Sequence, residues 1–325
     1  MDKEELLQCV REKSGKPSIK FPRGIGFQEN NHVITLTMLD SMAKNMQDDS
    51  AAFEGWALCL KACLDAEPMK CCLKWNKPAD PKDPHYQRFL YRVDRFNNIF
   101  GGSEGWFFID DESKEFMVDL EIKDDKNYFL NSPSTRSEDR INDETKNIES
   151  RLENEILRQQ DNLKDLKELC PATLYRQLPV GLFREKVIKD NAIFPSKHSA
   201  IDLWGANGDD LYILELKAKR NCKVGVLSEL FFYTMVLRDE KVGRFVRKSN
   251  EEELFEGKSI RNTNKIKAFI LAPELHPFIT QKVFDLLNEK LRNQKIEFGY
   301  INFEYEEMKP KLKFIYFKEG VSECY

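Results

Sequence analysis

The spacing of apolar and polar positions predicts helices in the first half of the chain. Apolar residues recur at helical intervals at Leu36, Leu39, Met42, Ala43 and Met46. They do so again over residues 53–64, where Phe53, Trp56, Ala57, Leu60 and Leu64 share one helical face. Because a period near 3.6 residues marks one buried side of a helix, we expect two amphipathic helices here.

A further predicted helix follows the proline-rich loop at residues 77–84 and covers residues 85–100. Three arginines, Arg88, Arg92 and Arg95, lie on one flank of it between aromatic residues. Such a flank could contact nucleic acid, or it could be an ordinary solvated face.

The second half of the chain has a different pattern. A short apolar run ending at Asp202 is followed by the turn residues 207–210 and by the β-rich run 211–214, which leads into Glu215-Leu216-Lys217. Turn residues between two short apolar runs predict a hairpin. We expect residues 174–189 to supply a helix and a first strand before this hairpin, and residues 225–237 to form an apolar helix after it.

A strand at 267–272, a helix at 277–292 and two strands at 296–305 and 311–317 complete the predicted order. This order predicts an α/β C-terminal domain in which helices flank a central mixed sheet.

A highly charged segment, residues 134–170, separates the two halves. Its apolar positions are sparse, which favours a long exposed linker helix that ends at Pro171. The predicted organisation is therefore a mainly helical α+β N-terminal domain (1–133), which could select a substrate or partner, a linker (134–170) and a C-terminal domain (171–325). A length of 325 residues fits two domains.

Composition limits the classes of protein that remain. No apolar run approaches the roughly 20 residues that a membrane span requires. The charged N-terminus has no apolar signal core, and the eight cysteines lack disulfide-framework spacing, so we expect reduced thiols and a cytoplasmic protein. Cys59 and Cys63, one helical turn apart, could bind zinc but are better explained as small buried hydrophobes.

Charge is distributed unevenly along the chain. The net charge is −4, but from Arg176 onward 26 basic residues face 22 acidic ones. The preceding part has 25 basic and 33 acidic residues. This asymmetry is compatible with a C-terminal part that contacts nucleic acid.

The predicted hairpin carries the most informative chemistry. Alternation along a strand places Glu215 and Lys217 on the same face, and the hairpin brings Asp202 back beside Glu215. Two carboxylates beside an ammonium suit a hard divalent cation and a phosphate. A basic turn comes directly afterwards, and its Lys219, Arg220 and Lys223 would attract a phosphate backbone.

At these residues the sequence resembles the PD-(D/E)xK nuclease superfamily, which has the restriction-endonuclease-like fold. The motif is matched by Asp202, Glu215 and Lys217, with Ile201 where the pattern has proline, and the resemblance covers about residues 178–317. It implies a metal-dependent nuclease of restriction, phage defence or repair. Asp202, Glu215 and the Leu216 carbonyl would then hold Mg²⁺, or Mn²⁺ in its place.

The resemblance also implies that Lys217 orients or deprotonates the attacking water and that the following helix adds a polar residue, Glu229. Glu229 could instead be a helix-edge residue paired with Lys223 or with a neighbouring base. The two acids would raise the pKa of Lys217, so an electrostatic role is as plausible as a basic one. Nucleic acid is the expected partner, with DNA favoured over RNA, and cutting both strands would need two sites, hence a homodimer or another partner.

Three alternatives remain open. The nuclease fold has inactive copies, so the chain could be a module that binds nucleic acid or a protein partner. The hairpin could match by chance. A second pattern, Asp110 followed by Glu121-Ile122-Lys123 in a predicted hairpin over residues 105–123, could be the true site or another one. The residues beyond this second pattern are less favourable, because an apolar helix does not come directly after it.

Overall fold

The computed structural model describes residues 1–39, 46, 48–64, 69–123, 128–133, 147–195, 199–247, 260–305 and 313–316. These residues form an α+β structure in which open mixed sheets are flanked by helices. The coarse fold class predicted from the sequence is therefore confirmed.

The helices are bounded by recognisable caps in several cases. Asp2 caps the first helix in a capping box, and Asp83 caps the third with Pro84 at its first position. The helices are α1 (Lys3–Ser14), α2 (Phe53–Cys63), α3 (Pro84–Phe100), α4 (Asp111–Glu115), α5 (Ile148–Gln159), α6 (Lys164–Leu169), α7 (Gly225–Lys241) and α8 (Gln281–Leu291). No helix of the described residues is long and apolar enough to cross a bilayer.

The strands form three sheets. They are β1 (Ile25–Asn30), β2 (Val33–Met38), β3 (Lys70–Trp75), β4 (Phe107–Ile109), β5 (Tyr128–Leu130), β6 (Tyr175–Pro179), β7 (Leu182–Phe183), β8 (Ala200–Ala206), β9 (Asp210–Leu216), β10 (Phe245–Arg247), β11 (Lys265–Ala272), β12 (Ile296–Glu304) and β13 (Lys313–Tyr316). The sheet orders are β1-β2-β3-β4, β10-β5-β7 and β13-β12-β11-β9-β8-β6.

The six-stranded sheet contains the predicted hairpin. Strands β8 and β9 pair antiparallel, whereas β9, β11 and β12 run parallel and are joined through α7 and α8. Parallel neighbours need such crossover helices, and these helices cover the faces of the sheet. The central strands β9 and β11 are therefore buried along most of their length. The predicted hairpin, helix, strand, helix, strand and strand are all confirmed. The helix predicted within residues 174–189 is wrong, since that segment forms β6 and β7.

The first half of the chain contains more strand than its pattern predicts. The helix expected from Leu36 onward is wrong over 36–38, because these residues belong to β2, where Ile34, Leu36 and Met38 alternate with more exposed residues. Part of that prediction, residues 40–45, lies outside the described residues. The hairpin expected over residues 105–123 is also wrong, since β4 is followed there by α4 and a 3-10 turn.

The charged segment before Pro171 is not an exposed linker in its described part. Leu152 and Ile156 of α5 are buried against Leu203, Leu214 and Leu216 of the sheet. Burying an aliphatic side chain of this size contributes roughly 1.5–3 kcal/mol, so α5 is an integral layer of the fold. Residues 134–146 of the predicted linker lie outside the described residues.

The two halves of the chain share one apolar core. A single cluster of buried residues extends from Leu6 of α1 to Phe298 of β12. Strand β5 pairs with β10 and β7 in the small third sheet, and α2 and α3 pack against α7 and α8. Asp49 Oδ1 accepts a hydrogen bond of 2.9 Å from the Gly225 amide at the start of α7. Both halves of the chain therefore contact helix α7 and hold it in place.

Candidate active site

The β8–β9 hairpin brings the two predicted carboxylates together. Its register pairs Leu203 with Leu214, so the preceding Asp202 lies opposite the following Glu215. The Leu216 amide donates a hydrogen bond of 3.0 Å to Asp202 Oδ2, which fixes that carboxyl group against the end of β9. Paired strands with a set register are the reason why two residues distant in sequence meet at one edge of the sheet.

Lys217 joins the carboxylate cluster directly. Its Nζ lies 2.6 Å from Glu215 Oε1 and 3.1 Å from Glu229 Oε2. The lysine side chain is 11% exposed, whereas both acids are at most 1% exposed. Buried charges need partners of opposite sign, and Lys217 supplies one to two acids at once.

Helix α7 supplies Glu229 from the face that packs on the sheet. This helix is apolar on nearly all sides, and Glu229 is fully buried within it. Tyr233, one turn further along, donates a hydrogen bond of 3.0 Å to Glu229 Oε1. The alternative pairing of Glu229 with Lys223 is therefore wrong, since Lys223 is exposed and the buried carboxylate contacts Lys217 and Tyr233.

The environment favours the protonated forms of the acids. Burial raises the pKa of Asp202 to about 7; Lys217 opposes this shift, while Glu153 and Glu229 add to it. Burial also raises the pKa of Glu215 well above its usual range, and the nearby charges of Asp202 and Glu229 add to the effect. Like charges confined in a poorly solvated site characteristically produce such shifts.

The neighbouring carboxylates favour the charged form of Lys217, whereas they favour the neutral forms of Asp202 and Glu215. Burial alone would lower the pKa of Lys217, but Glu215, Glu229 and Asp202 outweigh burial and raise it well above the ordinary value. Lys217 therefore keeps its proton at neutral pH and is poorly suited to act as a base. Burial raises the pKa of Tyr233 as well, with Glu229 as the next cause, so its hydroxyl remains a hydrogen-bond donor.

The cluster has donor atoms of the kind that a hard divalent cation binds. Glu215 Oε2 is buried and has no hydrogen-bond partner in the described part of the chain. Carboxylate and carbonyl oxygens are the ligands that Mg²⁺ prefers. The described residues contain no ready-made group of three or more His, Cys, Asp or Glu side chains for a metal. A cation would thus depend on Asp202, Glu215 and the Leu216 carbonyl.

The basic turn lies directly after the cluster and faces solvent. Lys219, Arg220 and Lys223 are all exposed. Two glutamate side chains fix the backbone of the turn. Glu149 Oε1 accepts a hydrogen bond of 3.0 Å from the Ala218 amide, and Glu274 Oε1 accepts one of 3.1 Å from the Arg220 amide. The three cations are therefore displayed on a fixed loop beside the site.

Several residues near the cluster were missed by sequence reasoning. Glu153 of α5 contributes to the raised pKa of Asp202 and is itself buried, with Arg176 Nε 2.8 Å from its Oε2. The only sequence signal was the few apolar residues of α5, which indicate its buried face.

The second acid pattern does not form an equivalent site. Asp110 caps α4 through the Ser113 amide, and Glu121 accepts two hydrogen bonds of 2.7 Å from Arg184. Lys123 donates its backbone amide to the Tyr128 hydroxyl at 2.7 Å. Both acids thus have structural partners, and the expected strand pair between them is absent from residues 105–123.

The arginine flank of α3 is buried, which contradicts both a nucleic-acid surface and a solvated face. Arg92 Nε donates a hydrogen bond of 2.7 Å to Glu54 Oε1, and Arg95 Nε lies 3.4 Å from Asp239 Oδ2. Arg88 is 4% exposed. Partners on α2 and α7 make these buried guanidinium groups tolerable.

Comparison with known proteins adds no relative. No protein-family model matches the chain, and neither a curated protein nor a solved structure shows significant similarity to it.

Proposed function

We propose that the chain is a metal-dependent nuclease of the PD-(D/E)xK kind, with a restriction-endonuclease-like C-terminal part that hydrolyses phosphodiester bonds. The observation that carries the proposal is the convergence of Asp202, Glu215, Lys217 and Glu229 at one end of the β8–β9 hairpin, where Lys217 Nζ lies within 3.1 Å of both glutamates. Convergence of strongly shifted acids and a lysine in this way favours a catalytic site over a solvated edge.

The residues of the cluster have different roles, which follow from their environments. Asp202 and Glu215, with the Leu216 carbonyl, would hold Mg²⁺ or Mn²⁺, which polarises the phosphate and makes a bound water a better nucleophile. Lys217 remains charged, so its ammonium orients that water and stabilises negative charge on the pentacovalent phosphorus. Glu229 holds the Lys217 ammonium, and Tyr233 holds Glu229. The exposed cations of the basic turn attract the phosphate backbone.

A nucleic-acid-binding module without hydrolysis is the second candidate. Lys217 already contacts both glutamates, and the described residues offer no ready-made set of three metal-binding side chains. A site closed by its own ion pairs could bind a phosphate backbone through the neighbouring turn and leave it intact.

The test is cleavage of plasmid DNA, single-stranded DNA and RNA in Mg²⁺ or Mn²⁺. Wild type is compared with Asp202→Asn, Glu215→Gln and Lys217→Met, and with Lys265→Met, which changes an exposed lysine at the opposite end of β11. Cleavage by wild type and Lys265→Met alone supports the nuclease. Equal cleavage by all variants identifies a contaminant and overturns the assignment. Retained binding without cleavage favours the module.

A further inference from the structure

We propose that Arg88 of α3 is a positioning residue that balances the charge of Glu229 and thereby holds the Glu229–Lys217 pair in place for phosphodiester cleavage. The inference rests on the proposed function. It assigns the N-terminal half of the chain a direct part in building the site, which sequence analysis did not predict.

The cluster contains more acids than bases. Three carboxyl groups, those of Asp202, Glu215 and Glu229, lie around the ammonium of Lys217. Ionisation of all three would leave an excess of negative charge in a poorly solvated space. A second buried cation close to Glu229 would reduce this excess without entering the solvent-facing side of the site.

Side chains of α3 and α7 meet close to Glu229. The ring centroids of Tyr91 and Phe232 are 6.0 Å apart, and those of Phe96 and Phe231 are 5.4 Å apart. The Arg88 guanidinium carbon lies 5.9 Å from the centroid of the Phe232 ring.

Glu229 lies one turn before Phe232, on the same face of α7. Arg88 is therefore placed beside the buried segment that carries Glu229 and Tyr233. Burial lowers the pKa of Arg88 to about 10 and the nearby charge of Arg92 adds to this change, while Tyr233, Glu229 and Asp83 oppose it. The guanidinium thus remains charged at neutral pH and interacts electrostatically with Glu229.

Helix α3 is hydrogen-bonded to one end of α7, and α7 is itself held at its other end. The Tyr91 hydroxyl donates a hydrogen bond of 2.9 Å to Asp239 Oδ2. At the other end of α7, Asp49 accepts the Gly225 amide and Ser228 Oγ accepts the Gly55 amide at 3.1 Å. A cation on such a fixed support can position a partner that a mobile surface arginine could not.

The experiment is a double-mutant cycle between Arg88→Met and Glu229→Gln, read both as cleavage kinetics and as thermal midpoint. Arg88→Met should lower kcat at least tenfold while KM for an oligonucleotide stays within about threefold, and Arg88→Lys should restore part of kcat. The two substitutions should be non-additive in thermal midpoint, because the neutral amide introduced by Glu229→Gln no longer needs a counter-charge. Arg92→Met, which changes a buried arginine paired with Glu54, should be additive with Glu229→Gln.

Additive effects of Arg88→Met and Glu229→Gln, or an unchanged kcat in folded Arg88→Met, would overturn the inference. Should Arg88→Met fail to fold, Arg88→Lys with Glu229→Gln gives the same cycle. If wild type cleaves nothing, the proposed function fails, and the positioning role for cleavage fails with it. The thermal cycle would still show whether Arg88 and Glu229 are coupled. It therefore distinguishes failure of the proposed nuclease function from absence of the proposed interaction.

Discussion

The amide of Leu216 donates a hydrogen bond of 3.0 Å to Oδ2 of Asp202, so the first acid of the cluster is held by the backbone that carries the second. The same arrangement keeps Asp202 in a site where ionisation is unfavourable. Its pKa of about 7 is well above that of an ordinary aspartate. This combination makes the stability of the fold depend on pH in a predictable direction.

Asp202→Asn should raise the free energy of unfolding at pH 8 by about 2 kcal/mol. A full effect would be about 1.36 kcal/mol for each unit by which the pKa of Asp202 is raised, and we expect less than that. Between about pH 4 and pH 7 the folded state binds a proton at Asp202 that the unfolded chain does not, so wild-type stability falls as pH rises through this window. Asparagine avoids the charge and can still accept the Leu216 amide.

The measurement is urea unfolding of wild type and Asp202→Asn at pH 5 and pH 8. The gain should be larger at pH 8. Asp202→Ala is the matched control, since it removes the charge and the acceptor together and should gain less. A gain that is equal at both pH values would contradict the assigned pKa.

Lys217→Met should destabilise the folded protein by about 3 kcal/mol, because it leaves buried Glu215 and Glu229 without their shared cation. The loss should shrink as pH falls, because the raised pKa of Glu215 favours its neutral form, which needs no counter-charge. Adding Glu229→Gln to Lys217→Met should recover part of the stability. Denaturant unfolding of the single and double variants checks this, and an unrecovered double variant would argue against the ion pair.

Arg92→Met should be among the most destabilising single substitutions, at roughly 3–5 kcal/mol, since Glu54 would remain buried without its partner. Replacing both residues by methionine should restore most of that stability, because an apolar pair needs no counter-charge. Thermal unfolding of Arg92→Met, Glu54→Met and the double variant distinguishes this from a general packing defect, which the double variant would not repair.

Lys219→Ala combined with Lys223→Ala should weaken nucleic-acid binding and reduce its salt dependence. Two lost phosphate contacts lower the slope of log affinity against log salt by about 1.4–1.8, depending on the strand state of the nucleic acid. Fluorescence anisotropy over a salt series measures this slope. A variant with Lys265→Ala and Lys290→Ala serves as the charge-matched control, and an equal change in it would remove the basic turn from the binding surface.

The sequence predicted the convergence of Asp202, Glu215 and Lys217 better than it predicted the rest of the fold. The hairpin was accessible because turn residues 207–210 separate two apolar runs, and α7 because its apolar character extends over several turns. Strand β2 was missed because Leu36 and Met38 fit a helical spacing as well as an alternating one. The period-two burial of Ile34, Leu36 and Met38 emerges only once β1 and β3 lie alongside.

The residues that support the site were hidden for a different reason. Glu153 lies in a segment whose charge suggests full exposure, and Arg88 lies on a helix flank that is typical of a surface. Their burial depends on α5 packing on the sheet and α3 packing on α7. A buried charge requires a partner from a distant part of the chain, and no local pattern identifies that partner.

The pairing of β5 with β10 and the shared apolar core have a consequence for dividing the polypeptide. A fragment that starts at Pro171 would expose the apolar side of α7 and leave β10 without its neighbour, so it should aggregate when produced alone. Supplied with residues 1–170 during refolding, it should regain a native-like far-UV spectrum through fragment complementation. The two fragments would then fold only in each other's presence.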